Sequence, residues 1–301
     1  MTETLVVVRY RRVLRREPDP DARGQAAARL ADGTLSRAGL LAELVASPEF
    51  TRVRALEDGV ALARRARAAG ERPHGLTGPP GTDERVIEVP WVLARYRGEP
   101  RVLDVGSANA DPLYLEALAE AAPGAVGLDL ADAESPSLKT VVGDVRRLPF
   151  EARSLDVVVC VSTLEHVGAD QTVYGVESGE GGIVDALAEI RRVLAGSGYA
   201  LVTVPCGAAE DHGWFVQHDR DGWNALFAGA DLHVHDQELY VLEPEGWQAR
   251  DDDRAAYGER GPGASSVLCS ELHPGRVRHE AARRVRLAVT LPRRWPRGAS
   301  T

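Results

Sequence analysis

The stretch Val102-Leu103-Asp104-Val105-Gly106-Ser107-Ala108-Asn109-Ala110-Asp111 constrains the fold more than any other. A short apolar run ends in an acid and then breaks into small residues. That pattern fits a strand buried on both faces, as in a parallel sheet. Three similar runs follow in series: Ala125–Leu130 with its acid at Asp129, Val141-Val142-Gly143-Asp144, and Leu155–Val161. A strand that closes on Gly or Ala lets a ligand approach the backbone, because no Cβ intrudes. Ligands of such sheets sit outside the carboxyl ends of the strands. The four runs together predict the ligand edge of a parallel sheet.

Their order and spacing resemble the class I S-adenosylmethionine-dependent methyltransferases. The Gly-Asp-x-x-x-Leu-Pro-Phe element at 143–150 and the turn Arg191–Tyr199 leading into Ala200–Val204 carry the same resemblance. It implies an α/β fold with a Rossmann-like, seven-stranded sheet and S-adenosyl-L-methionine as cofactor. It also implies roles. Asp104 orients the first turn and holds the cofactor ammonium, directly or through water. Asp129 accepts both ribose hydroxyls. Asp144 accepts the adenine amino group, with Val145 and Leu148 near the ring. Gly106, Ala108, Leu130 and Ser162 complete the implied cofactor set.

The loop departs from the family pattern Asp/Glu-x-Gly-x-Gly-x-Gly. Ala108 and Ala110 stand where the later glycines would be. Alanine still allows close approach, but a positive φ there would be costly. A dinucleotide fingerprint would want Gly, Gly and Gly or Ala at 106, 108 and 111. This chain has Gly, Ala and Asp, and an acid at that place repels pyrophosphate. A non-catalytic cofactor-binding or scaffolding module is the first alternative reading, and a nicotinamide oxidoreductase is the second.

Residues 1–68 read as helical. Asp19-Pro20, Ser36 and Ser47-Pro48 each place a capping side chain before a helix start, and Gly33 is a stop. The run from Tyr10 through Ser36 to Phe50 resembles a small bacterial helical domain similar to phycobilisome linker segments, often attached to glycan-processing enzymes. The alternative is a generic helical cap over the active site. The expected division is a helical accessory domain at 1–68, a Pro/Gly linker at 69–83, a methyltransferase domain at 84–275 and a basic tail at 276–301. Asp83 is expected to cap a short helix before the first strand, and Ile183, Leu187, Ile190 and Leu194 have helical spacing. Asp231–His235, Glu238–Leu242 and Ser266–Ser270 are the last strand candidates. Arg278, Arg283, Arg284 and Arg286 read as a solvated helix face.

Composition narrows the partners. A net charge of −9 argues against a nucleic-acid binder held by phosphate contacts. Cys160, Cys206 and Cys269 are widely spaced with no CxxC pair, which fits buried thiols in a reduced compartment. No apolar run approaches a membrane span, and the N-terminus has an acid and too short an apolar core for a secretory signal. A cytoplasmic protein is expected. Lys139 is the one lysine among many arginines, a bias of GC-rich bacterial genomes.

Methyl transfer to a hydroxyl needs proximity, alignment and a base. His166 follows the fourth strand in Ser162-Thr163-Leu164-Glu165-His166, and it is the first candidate base because its ordinary pKa lies near working pH. The bland alternative is that Glu165-His166 opens the next helix and contacts the cofactor. His212 and His218, beyond the fifth strand, are the other candidates. Trp214, Phe215 and Trp223 are candidates for stacking on a sugar ring or against the core. Gly175–Gly182 is a candidate lid, after the polar run Asp170–Tyr174. Asp170, Glu210, Asp211 and Asp219 offer oxygens, but no spacing forces a metal, and none is expected. His233 and His235 alternate on one strand face, too few ligands for zinc. The expected acceptor is an oxygen or nitrogen of a small molecule, most simply a sugar, glycoside or related metabolite.

Overall fold

The computed structural model describes residues 2–131, 137–169 and 182–275. The polar run at 170–174, nearly all of the candidate lid and the tail with its four arginines therefore lie outside the described residues.

Four helices come first: α1 (Thr2–Leu14), α2 (Pro20–Ala31), α3 (Arg37–Val45) and α4 (Pro48–Ala69). The expected caps are in place. Asp19 accepts from the Ala22 N–H at 2.8 Å, Ser36 from Gly39 at 2.9 Å and Ser47 from Phe50 at 3.2 Å. Each satisfies a first-turn donor that the helix itself leaves unpaired. Val6, Leu14, Ala26, Ala27, Leu40 and Leu44 close a small core between α1, α2 and α3.

Helix α4 belongs to a different core. Its Leu56, Val60, Ala63 and Ala66 pack in one cluster with Trp91 and Val92 of α5 (Arg85–Arg95) and with strand residues such as Val157. Gly59 leaves room for Pro90, whose Cγ would lie 3.0 Å from an added Cβ. The segment expected as a linker is also packed. Leu76 is buried and donates its N–H to the Tyr240 hydroxyl, and Gly78 pairs with Trp247. Buried apolar contacts therefore run unbroken across the boundary drawn at residue 68.

The remaining strands are β1 (Val102–Val105), β2 (Val126–Asp129), β3 (Lys139–Val142), β4 (Leu155–Val161), β5 (Leu194–Pro205), β6 (Glu210–Asp211), β7 (Val216–Gln217), β8 (Leu232–Glu243), β9 (Gly246–Arg250) and β10 (Ser266–Pro274). The main sheet has the order β3-β2-β1-β4-β5-β10-β8-β9. Strands β1 to β5 pair in parallel, and β10 runs antiparallel to both β5 and β8. This is the expected α/β architecture with its reversed final strand. The sheet has eight strands instead of seven, because β9 folds back on β8 at the edge. Two of the expected strands, 231–235 and 238–242, are one strand, β8. Helices α6 (Pro112–Ala121), α7 (Gly182–Val193) and α8 (Arg220–Gly229) complete the fold. Cys160, Cys206 and Cys269 are all buried and unbridged. No described helix is long and apolar enough to cross a membrane.

Candidate active site

A cavity opens across the carboxyl ends of β3, β2, β1 and β4. Asp104, Gly106, Asp129, Leu130, Asp144, Val145, Ser162 and His166 all line it. Ala108 does not, but its N–H donates to Asp129 Oδ2 at 2.9 Å and so sets that carboxylate. Leu148 lies in the core beneath.

The turn after β1 shows why glycine stands at 106. Its φ is +88°, and a Cβ there would sit 2.2 Å from the Thr163 hydroxyl oxygen. Both conditions demand glycine. Ala108 and Ala110 meet neither. Residues 107–109 form a 3₁₀ turn and Ala110 has φ −70°, so the anticipated cost at these positions does not arise. Asp111, which spoils a dinucleotide fingerprint, caps α6 instead by accepting from Leu113 N–H at 2.9 Å.

Asp104 is buried at the foot of the cavity. One carboxylate oxygen accepts from the Tyr114 hydroxyl, and the other, Oδ2, has no partner among the described residues. Burial, aided by the negative charge of Asp129, pushes its pKa up to about 7. A cationic ligand group beside Oδ2 would relieve that penalty. The half-buried Asp129 carboxylate and the side-chain-free Gly106 complete a set of acceptors and open backbone that fits the hydroxyls and ammonium of an adenosyl amino acid. At the β3 end Asp144 is held bidentately by Arg146 through Nε and Nη2, at 2.9 and 2.7 Å. That pairing helps keep the Asp144 pKa low against its partial burial.

Ser162 ends β4 at φ +39°, a strained value for a residue with a Cβ. Two anchors hold it there. Its N–H donates to the Thr203 carbonyl at 3.0 Å, and its hydroxyl donates to Glu88 Oε1 at 2.6 Å. Glu88 is fully buried on α5 and also pairs with Arg85, a cavity-lining residue. Glu165 is buried, and its Oε2 has no partner among the described residues. Burial, with the charges of Glu88 and Glu84 adding to it, raises its pKa to about 8.

His166 Nδ1 lies 3.1 Å from the Trp214 carbonyl oxygen. A carbonyl only accepts, so Nδ1 is assigned the proton that faces it, and Nε2 lies 3.9 Å from Glu165 Oε1. Burial lowers the His166 pKa, and Arg85 adds to the effect. The Trp214 ring stacks on His166 with centroids 5.1 Å apart, lines the cavity and stays 53% exposed.

The other candidates separate from the cavity. His212 stacks on Phe215 at 4.4 Å and pairs with Glu210, while His218 packs edge-on against Trp223. Neither lines the cavity; within the small β6–β7 hairpin it is Trp214 that does so. Phe215 and Trp223 are buried and serve the core. Glu210 and Asp211 sit on β6 and Asp219 caps α8. Among the described residues two groups gather possible metal ligands, His235 with Glu271 and His273, and His74 with Asp236 and Glu238. In both, arginines already neutralise the acids: Arg72 and Arg97 on Glu271, Arg95 on Asp236 and Glu238. Arg85 and Glu88 are the site residues that motif reading misses, whereas Trp214, one of the three aromatic candidates, does line the cavity. Both missed residues lie on α5, ahead of the first motif, where nothing in the sequence marks them.

Residues 103–202 match the methyltransferase domain family. The chain carries a class I S-adenosylmethionine-dependent methyltransferase domain. S-adenosylmethionine is the cofactor of this methyltransferase. Its fold is similar to a putative methyltransferase from Bacillus halodurans, at 12% identity over 62% of this chain and 96% of that one, TM-score 0.44. It is also similar to a Haloferax volcanii complex of the Trm112 activator with a putative methyltransferase, at 20% identity over 75% and 100%, TM-score 0.45. A third likeness is to the Burkholderia thailandensis 1,6-didemethyltoxoflavin N1-methyltransferase, at 15% identity over 73% and 85%, TM-score 0.42. No curated protein matches the sequence.

Proposed function

We propose that this methyltransferase modifies an oxygen or nitrogen on a ring-bearing small molecule, a sugar, glycoside or related metabolite, with His166 as the base. The observation that carries this reading is the His166–Trp214 pair at the cavity. A half-exposed indole at a cavity wall gives a flat apolar acceptor face somewhere to stack. A neutral imidazole beside it can take a proton as the acceptor attacks.

The bound cofactor supplies an electrophilic methyl group on a sulfonium. In this proposal Asp129 receives the ribose hydroxyls, Asp144 and Val145 receive adenine, and Asp104 receives the ammonium. Gly106, without a Cβ to meet Thr163, lets the cofactor approach the backbone. Ser162, fixed by Thr203 and Glu88, borders the amino-acid end, with Ala108 and Leu130 supporting the ribose side. His166 removes the acceptor proton and passes it to solvent. His212 and His218 act on the shape of the acceptor-side loop, not on the proton.

The test is an acceptor screen with adenosylhomocysteine formation as the readout. Sugars, glycosides and flat heterocycles are set against acyclic alcohols and amines. Ring acceptors should turn over, and Trp214→Ala should raise their KM while cofactor affinity stays within about twofold. Equal turnover of acyclic acceptors, unaffected by Trp214→Ala, would refute the stacking site.

A further inference from the structure

Two cations line the cavity among the described residues, Arg85 and Arg146, against four aspartates, Asp104, Asp111, Asp129 and Asp144. The two stand at opposite ends of the strand order. Arg146 follows β3 and spends Nε and Nη2 on Asp144. Arg85 stands at the β4 end. Its Nη1 donates to Glu88 Oε2, and the other oxygen of Glu88 accepts from Ser162, the residue that follows β4.

S-adenosylmethionine has one anionic group, the α-carboxylate of its amino-acid end. A nucleoside read by Asp129 and Asp144 lies over β2 and β3. The amino-acid end then extends over β1 and β4, where Asp104 waits with an unpartnered oxygen for the ammonium. The carboxylate needs a cation at that same end, since elsewhere the walls present acids. Arg85 keeps 29% of its side chain accessible, and it lines the cavity. Burial disfavours its charge, but Glu88 above all, with Glu84 adding to it, more than offsets this and keeps it a cation. A guanidinium pinned at one nitrogen still offers further N–H donors in a fixed plane, the geometry that suits a carboxylate.

We propose that Arg85 binds the α-carboxylate of the cofactor, with Glu88 and Ser162 as the positioning residues that hold its guanidinium. Asp104 and Arg85 thus form complementary halves of an amino-acid clamp. Arg85 comes from the helix before the first strand, outside the family's recognised stretch.

The experiment compares equilibrium binding of S-adenosylmethionine and its decarboxylated analogue, by calorimetry on the full chain. Wild type should prefer the carboxylate-bearing ligand by about ten- to a hundredfold, as for a charge-assisted pair. Arg85→Gln should bring the ratio close to one by weakening only the carboxylate-bearing ligand. Arg85→Lys should keep part of the preference. Thermal melts of each variant report whether it is folded. Equal weakening of both ligands in a folded Arg85→Gln protein overturns the proposal. If Arg85→Gln does not fold, the wild-type ratio and Arg85→Lys still decide: a wild-type preference under about twofold overturns it.

Discussion

Arg52 on α4 donates from Nη2 to Asp111 Oδ2 at 2.9 Å, and its Nε pairs with Asp83 just ahead of α5. Asp111 caps α6 and lines the cofactor cavity. Helix α4 is thereby tied both to the cavity wall and to the helix that carries Arg85. A chain starting near Thr82 would expose the partners of Leu56 and Val60, each worth roughly 1.5–3 kcal/mol of burial. We expect that truncation to be insoluble or unable to bind adenosylhomocysteine. A chain starting near Ser47, which keeps α4, should fold and bind. Full binding by the shorter chain would show that α4 is dispensable.

Removing the Asp129 carboxylate tests the ribose assignment. Asp129→Ala loses a charge-assisted pair worth about 1.5–3 kcal/mol, or roughly ten- to a hundredfold in adenosylhomocysteine affinity. It also frees the Ala108 N–H, so circular dichroism must accompany the titration. A folded variant with unchanged affinity rules the assignment out.

Asp144 should report on the base. Asp144→Asn keeps an acceptor, adds a competing donor and loses the Arg146 pairing. Affinity for adenosylhomocysteine should fall severalfold, and preference over the inosine analogue should narrow. The half-buried, locally formed pair contributes about 1 kcal/mol, so Arg146→Ala should shift the melting temperature only slightly. An unchanged base preference in Asp144→Asn would place adenine readout elsewhere.

His166 should set the acid limb of activity. A base works only when deprotonated, and burial lowers this histidine below its ordinary pKa. The rate should therefore be full at neutral pH and fall as pH drops through a value below about 6.5. His166→Ala should lower kcat by ~10²–10⁴-fold and abolish that limb, with cofactor affinity nearly intact. His212→Ala and His218→Ala should keep the limb. A kcat within tenfold of wild type in His166→Ala would leave alignment alone as the source of the rate.

Glu165 links stability to pH in the opposite direction from a salt-bridged acid. Its folded pKa is raised to about 8, so the folded state binds the extra proton. The contribution is complete below the unfolded value of about 4.3 and is lost as pH rises through about 8, at up to ~1.4 kcal/mol per pH unit. Glu165→Gln cannot ionise and should lose less stability than wild type between about pH 5 and 9. Parallel denaturation curves at both pH values would show that Glu165 is not buried neutral.

The sequence alone determined what depends on near neighbours. Caps at Asp19, Ser36 and Ser47 act within three residues, and they hold in the structure. The buried runs of β1, β2 and β4 declare themselves because a strand covered on both faces must be apolar throughout. Gly106 is legible because its turn follows at once from the strand that precedes it. Tertiary structure decided the rest, because those features depend on residues far apart in the chain. Glu88 and Ser162 are 74 residues apart, and nothing local marks either. His166 and Trp214 line the cavity while His212 and His218 do not, although three of the four come from one short stretch, and no periodicity encodes which side of a turn faces inward. Helix α4 reads as part of an accessory unit because its apolar face matches any helix. Which core that face joins is settled only when Pro90 packs over Gly59.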